Sequence, residues 1–227
     1  MTGPTKILLV DDHAIVREGY RRLLEDEPGI HVVGEANNAA QACEQARSLG
    51  PDVVVMDIAL PGVSGIEATR RMLKDQRHLR VLMFSMYDDA IYARRALEAG
   101  ALGYLSKASA PEVLVQAIYA VSRGERYVST DVAANMAQSA AQPGKSEIES
   151  LTSREFEVLR LLVRGETVRR ISEKLVLSEK TVANHQSAIR EKLGARNSAQ
   201  LARVYRESLT EGGSEVSGLI TPKEAGV

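Results

Sequence analysis

Residues 6–14, KILLVDDHA, drive four apolar residues, Ile7 to Val10, straight into two adjacent aspartates, Asp11 and Asp12. An apolar run of that length, bounded so sharply, reads as a strand buried on both faces. Two carboxylates a few ångströms apart repel by roughly 4 kcal/mol at an effective dielectric near 20. A chain tolerates that where it has simply reached solvent, or where a cation lies between the two groups.

Four more such runs follow, at 31–33, 53–56, 80–84 and 102–105. Between them, apolar residues recur at helical spacing, as at Ile66, Thr69, Met72 and Leu73. This alternation predicts an α/β domain over residues 5–126, with five strands in a doubly wound parallel sheet covered on both faces. Sheets of this kind hold ligands beyond the C-terminal ends of their strands. After Tyr127 the alternation stops. Residues 127–150 are expected to be a helical extension and a linker, small and polar around AAQPGKSE at 140–147. Residues 151–209 carry only helical patterning and predict a small all-α domain. The tail, 210–227, is Gly-rich, lacks periodicity and is expected to be disordered.

Over 227 residues, 29 Lys and Arg nearly balance 30 Asp and Glu. The balance is uneven along the chain: residues 1–125 sum to −3 and residues 151–207 to +5. A basic module behind a mildly acidic one points to a polyanion partner for the second half alone. The single cysteine, Cys43, excludes an intrachain disulfide framework and fits a reducing cytosol. No apolar run approaches the length of a membrane span, and the N-terminus lacks the apolar core of a signal peptide. The expectation is a cytoplasmic protein with no membrane partner.

The strand ends carry the chemistry. The first run ends in Asp11 and Asp12, the third in Asp57, the fourth in Ser85, and the fifth runs through Tyr104 into Lys107. Three carboxylates, a hydroxyl and an ammonium thus converge on one sheet edge. Mg²⁺ takes oxygen ligands, binds through one or two carboxylates, and keeps waters that a phosphate displaces. A shared Mg²⁺ would let Asp11 and Asp12 coexist. Asp57 beside it could act as a carboxylate nucleophile toward a phosphoryl group, with Lys107 meeting the charge.

These residues together resemble the two-component receiver domain, a flavodoxin-like fold. The resemblance implies that Asp57 accepts phosphate from a sensor histidine kinase. It implies that Asp12 binds Mg²⁺ directly, Asp11 through water, Asp57 by its carboxylate and Ala59 by its backbone carbonyl. Ser85 would then hydrogen-bond the phosphoryl group, and Tyr104 would swing into the space vacated as Ser85 and Lys107 draw inward. Ala59 and Tyr87 stand at two positions that govern phosphate lifetime in that family. Neither can activate a water, so slow loss of the phosphate is expected.

In the second half, TVRRISEKLVLSEKTVANHQSAIREKL reads as helix, short turn, helix, with Ser178 as the cap of the second. Val182, Ile189 and Leu193 share one face of that helix. The opposite face carries Lys180, Ala183, Asn184 and Ser187, which are short enough to enter a DNA major groove. Ala183, Asn184 and Ser187 are the candidate base readers. Lys180, Thr181, Arg190, Lys192 and Arg196 are candidate phosphate contacts, which position without specifying. His185 has no ligand partner at suitable spacing and is expected to be structural or phosphate-contacting. LTSREFEVLRLLVRG, KTVANH and IREKLGARN resemble the LuxR-type helix-turn-helix that ends NarL/FixJ response regulators. The resemblance implies a homodimer when phosphorylated or DNA-bound, with Leu201, Val204 and Tyr205 on the last helix as dimer contacts.

Two other readings compete with a phosphorylation-switched regulator that binds double-stranded DNA. A Mg²⁺-dependent phosphohydrolase would share the carboxylate nucleophile, but it usually needs an acid two residues further on, where this chain has Ala59. A constitutive DNA binder with an inert receiver would have no need of Asp11, Asp12 and Asp57 together. The expectation is therefore a regulator and not an enzyme.

Overall fold

The structure, a computed structural model, describes residues 3–140 and 147–210. The middle of the expected linker and all but one residue of the expected disordered tail lie outside them.

The first part alternates strand and helix from β1 (Thr5–Val10), α1 (Ala14–Glu25) and β2 (Ile30–Ala36) through α2 (Ala39–Leu49) and β3 (Val53–Met56). It continues with α3 (Gly65–Asp75), β4 (Arg80–Ser85), α4 (Ala90–Glu98), β5 (Gly103–Ser106) and α5 (Pro111–Ser122). All strand pairs are parallel, and the order is β2-β1-β3-β4-β5-β6. The sixth strand corrects the five-strand expectation: Tyr127–Val128 pairs with Gly103 and Tyr104 on the edge of β5. A strand of two residues is too short to show any period, so the sequence there reads as the end of the alternation.

The pleat sorts each strand onto two faces. Ile7, Leu9, Val53, Val55, Leu82 and Phe84 face α1 and α5. Leu8, Val10, Val54, Met56, Val81 and Met83 face α2, α3 and α4. Both faces of β1, β3 and β4 are dry, which is why these strands read as continuous rather than alternating apolar runs. After β6, α6 (Thr130–Ala140) lies along α4, with Arg94 donating to Ser139 at 3.2 Å and Asn135 to the Asp88 carbonyl at 3.1 Å.

A 3₁₀ turn at Glu147–Ser150 leads into α7 (Ser153–Val163), α8 (Val168–Leu175), α9 (Glu179–Lys192) and α10 (Ser198–Thr210). The starts of α7 to α9 follow from local sequence. Thr152 and Glu155 form a reciprocal capping box, Thr167 caps α8, and Ser178 caps α9. Between α8 and α9, Val176 takes a left-handed conformation at φ 50°, which a β-branched residue adopts only under strain. Phe156, Leu159, Ile171, Val182, Ile189, Leu193 and Leu201 fill the interior of this helical part.

The two parts touch. Phe156 of α7 meets Tyr92 of α4 edge-on, with centroids 5.0 Å apart. Arg95 of α4 lies 5.2 Å over the Phe156 ring and donates to the Ile148 carbonyl at 2.9 Å. On the other side of the contact, the Gly62 N–H donates to the Leu175 carbonyl at 3.2 Å.

Candidate functional site

Asp11, Asp57 and Lys107 come together at the C-terminal edge of the sheet because β1, β3 and β5 all end there. Lys107 Nζ lies between the carboxylates, 2.6 Å from Asp11 Oδ2 and 2.9 Å from Asp57 Oδ2, and all three side chains are almost fully buried. This ammonium offsets the repulsion between the Asp11 and Asp57 carboxylates. Burial works against the Lys107 charge, but Asp57 and Asp11 outweigh it and hold its pKa above the ordinary lysine range. Burial raises the Asp57 carboxyl above the usual carboxylate range, against the pull of Lys107. Asp12 lies further out, its Oδ1 2.7 Å from His13 Nδ1.

The site fits a hard divalent cation. Asp57 Oδ1 is buried and accepts no hydrogen bond, which leaves an anionic oxygen unsatisfied. One donor atom from each of Asp11, Asp12, His13 and Asp57 lies within 4.8 Å of the others. Mg²⁺ suits such a cluster, since it binds through one or two carboxylates and keeps several waters. Ala59, Ser85, Tyr87 and Lys107 line the cavity above Asp57, about 320 Å³ in volume. The backbone behind Asp57 is tightly fitted. At Gly65, the first residue of α3, a Cβ would stand 1.8 Å from the Asp57 carbonyl oxygen, so no side chain is accommodated there without moving the loop.

Ser85 is fully buried, and its Oγ accepts from the Tyr87 N–H at 3.4 Å. Tyr104, the expected switch residue, lies beside this segment. Its ring lies inside, fully buried, with the phenol donating to the Tyr87 carbonyl at 2.6 Å.

The contact of Tyr87 with the helical domain is the part that sequence reasoning missed. Tyr87 lines the cavity, stacks on Tyr92 at 4.6 Å, and carries the Arg160 guanidinium of α7 at 4.0 Å over its ring. Tyr87 thus touches both the acidic cavity and the helical domain. Next to it, Glu157 of α7 is buried and pairs with Arg154 at 2.5 Å. Burial pushes the Glu157 carboxyl up to about 7 against the pull of Arg154, and Asp57 adds to the rise. Only the residue types Tyr, Phe and Arg at helical spacing could have signalled this contact, and they read equally well as ordinary packing.

On α9, Lys180, Ala183, Asn184 and Ser187 are exposed side by side, and so is Arg196 beyond its end. The docked receiver does not bury this face. Thr181 turns its hydroxyl to Ser178 at 2.8 Å and serves the cap. Lys192, itself exposed, pairs with the buried Glu155 at 2.6 Å and ties α9 to α7. Arg190 is half-buried. His185 is half-buried, and burial lowers its pKa, in keeping with a packing position. On α10, Leu201 is buried in this chain's own core, so it is not a surface contact. Tyr205 lies 6.1 Å from Phe156, and Val204 is partly buried with it.

Among the described residues, no helix is long and apolar enough to cross a membrane. Residues 7–119 match the family described as the response regulator receiver domain, and residues 149–205 match the bacterial regulatory proteins of the luxR family. The response regulator UvrY of Escherichia coli K12 is 40% identical over 200 residues, covering 87% of this chain and 92% of that one. A crystal structure of a LuxR-family two-component response regulator from Aurantimonas sp. SI85-9A1 is 48% identical, with a TM-score of 0.60, over 62% of this chain and all of that one. RcsB from Salmonella enterica serovar Typhimurium, bound to promoter P1flhDC in the presence of the phosphomimetic BeF3⁻, is 26% identical. It has a TM-score of 0.59 and covers 91% of this chain and all of that one.

Proposed function

Because the chain belongs to the response regulators that join a receiver domain to a luxR-family DNA-binding domain, we propose that it is a transcription regulator switched by phosphorylation of Asp57. The observation that carries this reading is the buried Asp57 carboxylate with one free oxygen, set between Lys107 and the Asp11–Asp12 pair. The donor is a phosphohistidine on a partner sensor kinase, and the reaction belongs in the cytoplasm. Asp57 Oδ1 attacks phosphorus and the P–N bond to the donor imidazole breaks. The imidazole leaves with that electron pair. Mg²⁺ held by Asp11, Asp12 and Asp57, with the Ala59 carbonyl, would supply charge neutralisation for the phosphoryl oxygens. Lys107 pairs with one of those oxygens, and Ser85 donates its hydroxyl to another.

The switch then runs through Tyr87. Engaging Ser85 moves the segment that holds the Tyr87 N–H, and the Tyr87 ring carries Arg160 of α7. Aromatic pairs contribute about 0.5–1.5 kcal/mol each and cation–π contacts about 0.5–2 kcal/mol, so a small displacement is enough to tip the docked equilibrium. The docked form leaves the DNA-reading face of α9 exposed, while Tyr205 of α10 lies 6.1 Å from Phe156 within the same helical domain. Release of the helical domain from α4 would let it pair with a second copy, and the paired modules would then read two half-sites of double-stranded DNA. In this account phosphorylation controls dimerisation and not access to the reading helix.

Intact mass after incubation with Mg²⁺ and a small acyl phosphate tests the phosphoacceptor. One added phosphoryl group in the wild type and none in Asp57→Asn is expected. An equal gain in both would place the modification elsewhere.

A further inference from the structure

The loop after β1 does more than present two aspartates. His13 stands at the N-cap of α1, yet its side chain makes no capping hydrogen bond. Its own N–H instead donates to Asp11 Oδ1 at 2.8 Å, which folds the residue back over the acidic pair. Arg17 fixes the turn by donating to the Asp11 carbonyl at 2.6 Å. The imidazole therefore points toward the site, with Nδ1 2.7 Å from Asp12 Oδ1 and 3.4 Å from Asp11 Oδ1. It completes the four-residue group whose donor atoms lie within 4.8 Å of one another, beside the unsatisfied Asp57 Oδ1.

Resting on the reading of this site as a cation-assisted phosphoacceptor, we infer that His13 Nδ1 is an additional ligand of the divalent cation, so that the site favours a first-row transition ion such as Mn²⁺ over Mg²⁺. Mg²⁺ demands an all-oxygen shell and dehydrates reluctantly, so an imidazole adds nothing to its binding. First-row transition ions accept imidazole nitrogen readily and gain from it. The ring is two-thirds exposed, and its contacts are to the two carboxylates a cation would bind. Ion binding can replace its bond to Asp12 without disturbing the core.

The test uses the full-length protein, with Mn²⁺ titrated directly and in competition with Mg²⁺, for wild type, His13→Ala and His13→Gln. The expected result is a roughly tenfold fall in the Mn²⁺ to Mg²⁺ affinity ratio in both variants, with Mg²⁺ affinity held within about twofold. Pulsed electron paramagnetic resonance of the Mn²⁺ form should show a directly coupled imidazole ¹⁴N in the wild type that is lost in both variants. An unchanged ratio with no such coupling would overturn the inference, while ion binding that Asp57→Asn still weakens would leave the phosphoacceptor reading in place. If neither ion bound the wild type, both would fall.

Discussion

Asp57 and Glu157 are buried carboxylates on opposite sides of the contact between the two domains, and the Asp57 charge adds to the rise in the Glu157 pKa that burial causes. At Glu157 this has a measurable consequence. Its carboxyl is pushed from an ordinary value of 4.5 up to about 7, so between those values the folded chain holds a proton that the unfolded chain has released. Stability must therefore fall as pH rises from about 4.5 to about 7, by a total of about 3 kcal/mol, and stay level above. Glu157→Gln keeps an acceptor for Arg154 and removes the titration. Denaturant unfolding should show the variant more stable at pH 8 and flatter between pH 5 and 7, and an identical pH profile would refute the account of this residue. Asp11, Asp12, Asp57, Ser85 and Lys107 were legible in the sequence because each follows a strand that announces its own end. Glu157 was not, since a glutamate on an amphipathic helix reads as solvated until another domain covers it. Tyr104 shows another limit: its strand position was legible, but not the bond from its phenol to the Tyr87 carbonyl.

Local signals decided most of the elements. β1, β3 and β4 carry continuous apolar runs, and Thr152 and Ser178 mark helix starts that the structure keeps. β6 escaped because two residues have no pattern, and its place was set only by the free edge of β5. On α9 the sequence identified a polar face but not its division of labour. The Lys192–Glu155 pair joins residues 37 positions apart, which no spacing rule reaches. The exposed face now sorts cleanly, with Lys180 at the helix start and Asn184 one turn on. Lys180→Ala should weaken binding to all duplexes and lower the slope of log affinity against log salt by about 1. Asn184→Ala should instead lose about 1–3 kcal/mol of discrimination at one base pair, with little change in that slope. Anisotropy titrations at several salt concentrations separate the two, and a uniform loss in both variants would contradict the assignment.

Across the whole molecule, the docked arrangement is held by a short aromatic ladder, Tyr87–Tyr92–Phe156–Tyr205, with Arg95 and Arg160 lying over its rings. None of this was legible, because each residue sits on a helix or loop whose local pattern reads as packing within its own domain. Arg160 is the part most open to change, being only partly buried at the edge of the ladder. Arg160→Ala should remove about 1 kcal/mol of docking, shifting the unphosphorylated chain about fivefold toward dimers, as sedimentation would read. Small-angle scattering on the full chain, before and after phosphorylation with Mg²⁺ and an acyl phosphate, tests the central claim most directly. At a concentration low enough to keep it monomeric, the radius of gyration should rise when Asp57 is modified and stay fixed in Asp57→Asn. A chain that carries the phosphoryl group and keeps its compact radius would show that the switch does not work by releasing the DNA-binding domain.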